Sequence, residues 1–371
     1  MTFRPIAIYL PQFHPILEND EWWGKGFTEW TNVVNAKPLF KGHYQPHLPA
    51  DLGFYDLRLE ETRIAQAELA KQHGIYGFCY YHYWFNGKRM LETPLNRKLE
   101  NPKEDFPFML CWANENWTRI WDGQEKEILL EQKYSETDDI EHIRALIIYF
   151  KDSRYITVDG KPVMVIYKSS RITDIKSTIK TWRNEASKAG LELYLCRMDA
   201  FGNYGNEYLK DGFDAAIDFE PFSVKRDEFN YQFKWKFIKN KTSLWYLKYK
   251  LASNHDREEM VNKLYSEIDY EEYVDFVMNY PEYNYKCFPG ITPMWDNTAR
   301  KKENYFLFRN SNPGKYQQWL QHEVNKFKPY SKNENFLFIN AWNEWAEGNH
   351  LEPCQKWGKK YLEATKRVLL K

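Results

Sequence analysis

Asn335-Phe-Leu-Phe-Ile-Asn-Ala-Trp-Asn-Glu-Trp-Ala-Glu-Gly-Asn-His-Leu-Glu-Pro353 is the stretch on which the fold turns. Phe336 to Ile339 reads as a strand buried on both faces, because it is a continuous apolar run without alternation. It runs straight into Asn340, Trp342, Asn343, Glu344, Trp345 and Glu347. On one regular strand Glu344 and Glu347 would point to opposite faces, since side chains alternate with a period of two. Both face one cleft only if the chain leaves the strand near Trp345, which Ala346 and Gly348 make easy. Two carboxylates so placed, flanked by flat apolar rings on which a sugar stacks, suit glycosidic chemistry. A polar strand end with a surface turn is the plainer alternative. The surrounding Trp and Asn weigh against it.

Outward from this stretch, strand and helix signals alternate along the whole chain. Strands are expected at Ile6–Leu10, Tyr76–Trp84, Phe106–Trp112, Val163–Tyr167, Leu193–Met198, Ala215–Phe219, Cys287–Trp295 and Phe336–Trp342. Helical patterns cover Leu57–His73, Thr137–Lys151, Ile172–Ala189, Tyr204–Asp211, Tyr270–Tyr280, Lys315–Lys328 and Gly358–Leu370, with a weaker one near Leu91–Glu100. Gly74, Gly190 and Gly212 stand where helices end in a left-handed residue, so the helix-to-strand turns are short. The strand-to-helix connections are long, above all 11–56 and 113–136. That asymmetry over about eight units predicts an α/β fold, a (β/α)8 TIM barrel of one catalytic domain over 1–371, its site at the C-terminal strand ends. A doubly wound sheet is the runner-up; it asks for a Gly-rich phosphate turn after the first strand, and Leu10-Pro-Gln-Phe-His14 is not one.

Polar and aromatic groups stand where nearly every strand runs out, as a polyhydroxylated ligand in a barrel mouth requires. Besides Glu344 and Glu347 as catalysts, the expected substrate contacts are Tyr9, Gln12 and His14; His82 and Trp84; Trp112, Asn114, Glu115 and Asn116; Asp199; Glu220; Trp295 and Asp296; and Asn340, Trp342 and Asn343. The long first loop adds Trp22, Trp23, Glu29, Trp30 and His43. Glu347 is expected to have a raised pKa, as an acid, and Glu344 to stay near ionised, as a base.

Lys plus Arg number 52 and Asp plus Glu 52, so no net field favours nucleic acid or an acidic membrane. Aromatic residues reach 18%, with 15 Trp and 27 Tyr, and they fall in loops as well as strands, which favours a flat, polar-rimmed ligand such as a glycan or glycolipid. The five cysteines have no CxxC spacing and mostly sit in apolar runs, which fits a reducing compartment. The N-terminus enters a strand at once, without a tripartite signal, and no 18-residue apolar run occurs. The expectation is a cytoplasmic protein, peripheral at the inner membrane if it touches one.

One segment, 222–269, interrupts the alternation after the sixth strand. It interleaves Lys225, Arg226, Lys234, Lys236, Lys239, Lys241, Lys248 and Lys250 with Phe229, Tyr231, Phe233, Trp235, Phe237, Trp245, Tyr246 and Tyr249. It reads as a helical insertion packing its aromatics on the barrel, or as a platform for anionic lipid heads or a lipid-linked saccharide.

No metal or cofactor is expected. His43 and His47 lie in a proline-broken segment rather than on a helix presenting both imidazoles. A nucleophile elbow, a Walker loop, an Asp-x-Asp site and paired Rossmann halves are missing from the sequence.

Longer motifs carry a family resemblance. Ala7-Ile-Tyr-Leu-Pro-Gln-Phe-His-Pro15, Asn19-Asp-Glu-Trp-Trp-Gly-Lys-Gly-Phe-Thr-Glu-Trp-Thr-Asn32, His43-Tyr-Gln-Pro-His-Leu-Pro49, Gly77-Phe-Cys-Tyr-Tyr-His-Tyr-Trp-Phe85, Cys111-Trp-Ala-Asn-Glu-Asn-Trp-Thr-Arg119 and Trp295-Asp-Asn-Thr-Ala-Arg300 resemble the WbsX-type family. That family is encoded among bacterial O-antigen and surface-polysaccharide (lipopolysaccharide) genes and labelled glycosyltransferase. Asn343-Glu-Trp-Ala-Glu-Gly348 and Leu351-Glu-Pro353 also resemble glycoside hydrolase family 99, the endo-α-mannosidases, which are (β/α)8 barrels. What this second resemblance implies is that Glu344 is a base for the sugar 2-hydroxyl, giving a 1,2-anhydro sugar, and Glu347 the acid/base at the leaving oxygen. The His of that family is Ala346 here and the N-terminal motifs are unrelated, so the substrate does not carry over. Three readings stand: a retaining glycan-cleaving or glycan-transferring enzyme on a manno-configured or similar glycan; a glycosyltransferase with a nucleotide- or lipid-activated donor; and a non-catalytic glycan-binding barrel.

Overall fold

The protein is described here by a computed structural model over residues 3–119 and 124–370. Among these residues eight parallel strands make a ring: β1 (Arg4–Tyr9), β2 (Gly77–Phe85), β3 (Phe108–Trp112), β4 (Lys161–Ile166), β5 (Tyr194–Asp199), β6 (Ala215–Asp218), β7 in two pieces (Cys287–Phe288 and Gly290–Ile291) and β8 (Phe336–Ile339). Each pairs in parallel with its neighbours in chain order, and β8 returns to β1 with Arg4 opposite Phe336. The ring closes at β7: Cys287 pairs with Ala216 of β6, and Gly290 with Phe338 of β8. This is the expected (β/α)8 barrel.

The strands are mostly apolar because helices cover them outside and side chains fill them inside. All nine residues of β2 are buried. The expected run 287–295 is shorter in fact, since Pro289 has no N–H to give a ladder and divides it. Its carbonyl still accepts from Phe338 N at 2.9 Å. Gly290 is required by proximity: a Cβ there would lie 1.8 Å from the Asp218 carbonyl oxygen of β6.

Helices follow in the order α1 (Leu17–Trp23), α2 (Glu29–Asn35), α3 (Glu60–Gln72), α4 (Thr93–Glu100), α5 (Glu136–Phe150), α6 (Ile175–Lys188), α7 (Tyr208–Asp211), α8 (Val224–Lys239), α9 (Leu244–Leu251), α10 (Asn254–Ser266), α11 (Tyr270–Met278), α12 (Pro313–Lys326) and α13 (Lys360–Leu369). Several starts are capped as the sequence invites. Ser135 accepts from Asp138 N, and Asn312, followed by Pro313, accepts from Lys315 N; such caps stabilise a helix by about 1 kcal/mol. Gly74, Gly190 and Gly212 adopt φ of 87°, 77° and 100°, the left-handed ends inferred from sequence. The short α1 and α2 in the first loop carry no long apolar period and were not foreseen.

The 222–269 segment holds α8, α9 and α10. Phe229 of α8 packs on Tyr273 and Phe276 of α11, each at 5.4 Å between centroids. Lys225, at its start, is buried against Asp218. Phe222 and Phe233 pack against the core and Ile268 lies in it, while α9 and α10 stand outside. No residue of α9 or α10 is buried, and Tyr231, Trp235, Leu244, Leu247 and Leu251 are exposed.

Candidate active site

The chain leaves β8 by three devices. Trp342 N donates to Ile8 O (2.7 Å), and the Asn343 amide bridges Leu10, accepting from its N (2.8 Å) and donating to its O (3.0 Å). Asn343 and Glu344 then pair antiparallel with His350 and Asn349. Trp345 to Glu347 form a single 3₁₀ turn ended by Gly348 at φ 54°. A Cβ on Gly348 would meet Asp296 Cβ at 2.8 Å, so both backbone sign and space demand glycine. The turn brings Glu344 and Glu347 onto the wall of one cavity of about 820 Å³ at the C-terminal end of the barrel.

Arg300, in the loop after β7, holds the pair. Its Nη1 donates to Glu347 (2.7 Å) and its Nη2 to Glu344 (3.1 Å), and Nη2 also lies 3.1 Å from Glu29 of α2. Three carboxylates therefore surround one guanidinium. Burial works against the charge of Arg300, but Glu29, Glu347 and Glu344 outweigh it and its pKa rises. Burial, then the charge of Glu347, pushes Glu344 up to about 8, with Arg300 opposing. Glu347 is raised too, by burial and against Arg300. Glu29 is likewise raised by burial. Glu347 is thus raised as expected, but Glu344 does not stay near ionised in the free protein. Glu344 lies deeper, its side chain 5% exposed against 21% for Glu347, and desolvation acts hardest on the deeper charge.

Beneath the turn, Glu352 accepts from Trp345 Nε1 (2.7 Å), Tyr55 OH (2.8 Å) and Gln66 Nε2 (2.6 Å), and Gln66 accepts from Tyr9 OH (2.7 Å). Trp345 stacks on His350 with 3.8 Å between centroids. Beside it, Asp296 accepts from His43 Nε2 (2.8 Å), Gln45 Nε2 (2.9 Å) and the Thr298 hydroxyl (2.6 Å), while its N donates to Glu347 O (2.7 Å). These two networks fix where Glu347 sits. Hydrogen bonds to a charged acceptor contribute about 1.5–3 kcal/mol each, so they rigidify the turn.

Of the residues singled out in the sequence, the cavity wall collects Gln12, Trp22, Trp23, Asn114, Glu115, Asn116, Trp295, Glu344 and Glu347. Glu29 joins through Arg300. The others lie off it. Tyr9, His43 and Asp296 belong to the networks just described, and Asn343 to the strand-end bridge. Trp30 is buried against Phe13, Tyr55 and Trp345, and Trp342 packs on Phe78 inside the barrel, so neither Trp342 nor Trp345 offers a face to a ligand. His14 bonds to Pro11 O. His82 pairs with His142 (2.9 Å) on the helix side of β2, where Trp84 stacks on His142 and Trp112 packs edge-on. Asp199 pairs with Arg197, and Glu220 accepts from Ser223 and Tyr273. Asn340 donates to Glu220 O. The common cause is alternation: at a strand end one residue faces the mouth and the next faces the helices.

Sequence reading missed Arg300, although Trp295-Asp-Asn-Thr-Ala-Arg300 was visible. It also missed the aromatic lining by Tyr81, Tyr83, Trp117, Tyr167, Phe201 and Phe222. Asn19 and Trp295 line the cavity while buried, and the Asn19 amide and Trp295 indole N–H have no partner among the described residues. Both suit ligand hydroxyls. Among the described residues no group of three His, Cys, Asp or Glu is arranged to hold a metal ion.

A closed (β/α)8 ring with two buried carboxylates at its C-terminal face defines the class, a (β/α)8 barrel with its cavity at the open strand ends. Solved structures agree on the fold. The GH99 endo-alpha-mannosidase from Bacteroides thetaiotaomicron aligns with a TM-score of 0.59 at 12% identity, covering 99% of this chain and 96% of that one. A glycoside hydrolase-like protein aligns at 0.57 and 14%, covering 99% and 94%. The chain belongs to the family described as Glycosyltransferase WbsX, whose model matches residues 5–365. It is 37% identical over 368 residues to the uncharacterized protein WxcX from two strains of Xanthomonas campestris pv. campestris, covering 98% of this chain and 49% of each relative. The chain thus spans about half the length of these curated relatives.

Proposed function

We propose that this protein is a retaining enzyme of bacterial surface-polysaccharide (O-antigen) metabolism acting on a manno-configured or similar glycan. The observation that carries the proposal is the placement of Glu344 and Glu347 on one cavity under a shared Arg300. Both carboxylates come from one strand end and approach a sugar from a similar side, unlike a nucleophile and acid that flank the bond. In the reaction, Glu344 takes the proton of the sugar 2-hydroxyl and that oxygen attacks the anomeric carbon. The bond to the leaving oxygen breaks as Glu347 protonates it, leaving a 1,2-anhydro sugar. Water or a sugar hydroxyl, deprotonated by Glu347, then opens the three-membered ring and the 2-oxygen regains its proton.

Before substrate enters, burial keeps a proton on Glu344. A 2-hydroxyl donating to that carboxylate replaces lost solvation and favours its ionised form, so loading moves the proton requirement onto Glu347. The test is kinetic. On a substrate with a good leaving group, Glu347→Gln keeps much of its rate, whereas Glu344→Gln is slow on every substrate, by about 10²–10⁴-fold. Equal losses for both variants on both substrates overturn the roles; no loss in either places catalysis elsewhere, or makes the barrel a glycan-binding protein. The family description favours a second reading, transfer from a nucleotide- or lipid-activated donor. Saturable binding of such a donor supports it.

A cytoplasmic setting at the inner-membrane surface belongs to this proposal. Support for peripheral contact comes from the exposed apolar and aromatic residues of α8 and α9 among lysines.

A further inference from the structure

We infer that the ligand carries an anionic group remote from the reacting bond, bound by Arg171 and Lys168 on the side of the mouth opposite Glu344. The inference rests on the glycan reading and adds a substrate class to it: an acidic saccharide.

The ring geometry sets the positions. Lys168 follows β4, and Arg171 ends the 3₁₀ turn Ser169–Arg171 just beyond it. Glu344 follows β8, and β4 and β8 stand four strands apart in either direction round the barrel. All four residue positions, Arg300 included, nevertheless line the same cavity. It is therefore one trough with two ends.

The ends differ in charge. At the β8 end Glu29, Glu344 and Glu347 face Arg300 and Lys301, and Arg300 is consumed by the three carboxylates. At the β4 end Lys168 and Arg171 face only Glu115, which Lys168 binds at 2.5 Å. The Arg171 guanidinium is exposed and makes no hydrogen bond or ion pair among the described residues. Its charge is felt by Tyr134 beside it on the wall. With the proton on Glu344 the first end is balanced, and the second has one cation to spare.

An exposed arginine alone would signify nothing. Here it closes an aromatic-lined cavity whose other end sets its cations against carboxylates. A planar fork of donors with no protein acceptor suits a carboxylate or phosphate better than it suits neutral hydroxyls. The difference in charge also orients the ligand: beside the reacting bond an anion meets cations already paired with carboxylates, while at the far end it meets Arg171. Carboxylate of a uronic acid and phosphate substituent share this chemistry.

Calorimetric titration tests it, with mannuronate oligosaccharides, matched neutral manno-oligosaccharides and inorganic phosphate against the intact chain. At low salt the acidic oligosaccharide binds roughly tenfold tighter than the neutral one. Arg171→Ala abolishes that preference and leaves neutral affinity within about twofold, because the Arg171 side chain bonds to nothing among the described residues. Phosphate that competes with the acidic sugar only in the presence of Arg171 extends the site to phosphorylated glycans. Equal wild-type affinity for acidic and neutral sugars, or a preference that survives Arg171→Ala, overturns the inference while the glycan reading stands. If no saccharide binds but phosphate binds at Arg171, the glycan reading falls and the anion site remains. If nothing binds, both fall.

Discussion

Arg300 pulls the pKa values of Glu344 and Glu347 down, and Glu29 pushes both up. These opposed signs give a test at the scale of single residues. The working state of a coupled acid/base pair holds one shared proton, so kcat/KM against pH is bell-shaped and reports macroscopic values of the free protein. Its upper limb lies near the value of about 8 reached by Glu344, above which the last proton leaves. Replacing Arg300 by Gln removes a cation, raises the carboxylate values and moves the upper limb to higher pH. Replacing Glu29 by Gln removes an anion and moves the limb to lower pH. Movement of the upper limb in the same direction in both variants would show that the pair is not governed by this cluster. Arg300 was not recognisable beforehand. It stands 44 residues before Glu344, in a stretch of Lys and Glu that looks like solvated surface. Only folding of the loop after β7 reveals its three partners.

Among the elements, α9 is unusual in burying none of its residues, with Leu247 and Leu251 exposed and Lys248 and Lys250 between them. An amphipathic surface of this kind binds anionic bilayers through apolar insertion and lysine attraction together. Co-sedimentation with phosphatidylglycerol vesicles should exceed that with phosphatidylcholine and weaken as salt rises. The double change Leu247→Ser, Leu251→Ser should abolish it without lowering the melting temperature, because neither side chain supports the core. Binding indifferent to lipid charge and to these leucines would remove the membrane role. The barrel elements were readable from sequence. All eight strands were expected, most of them as continuous apolar runs, since burial on both faces leaves that mark. The helices α1 and α2 escaped because each is seven residues long, too short to display a 3.6-residue period.

For the molecule as a whole, buried titratable groups predict an asymmetric stability profile. Burial holds His14 and His47 near 4, and His82 and His350 near 3, all below the ordinary 6.5. Between those values the unfolded chain binds more protons, so stability falls as pH drops from about 6.5 through 4. Glu344 at about 8, and Glu220 and Glu352 at about 7, act with the opposite sign. Their protonated forms favour the fold, and stability falls as pH rises from 4.5 through those values. The two sets offset each other between about 5 and 6.5, and neither does so outside that interval. Thermal melting should give a plateau there, a steep loss below about 5 and a shallow loss above 7, with the alkaline slope reduced in Glu344→Gln. A melting temperature that climbs steadily to pH 9 would contradict the buried carboxylates.

The sequence alone determined the ring of strands, the end of the barrel that is open, and the two glutamates at the last strand. Each is a local property: an apolar run, a loop length, a turn after Trp345. Only the tertiary structure decided which polar groups meet. Gln12, Asn114 and Trp295 reach the cavity, while His82, Trp84 and Trp342 turn into the packing. A strand end alternates its sides every residue, and a shift of one position exchanges ligand for core. The same closure of the ring brought Glu29, Arg300, Glu344 and Glu347 together from three separate loops, a meeting that no local pattern encodes.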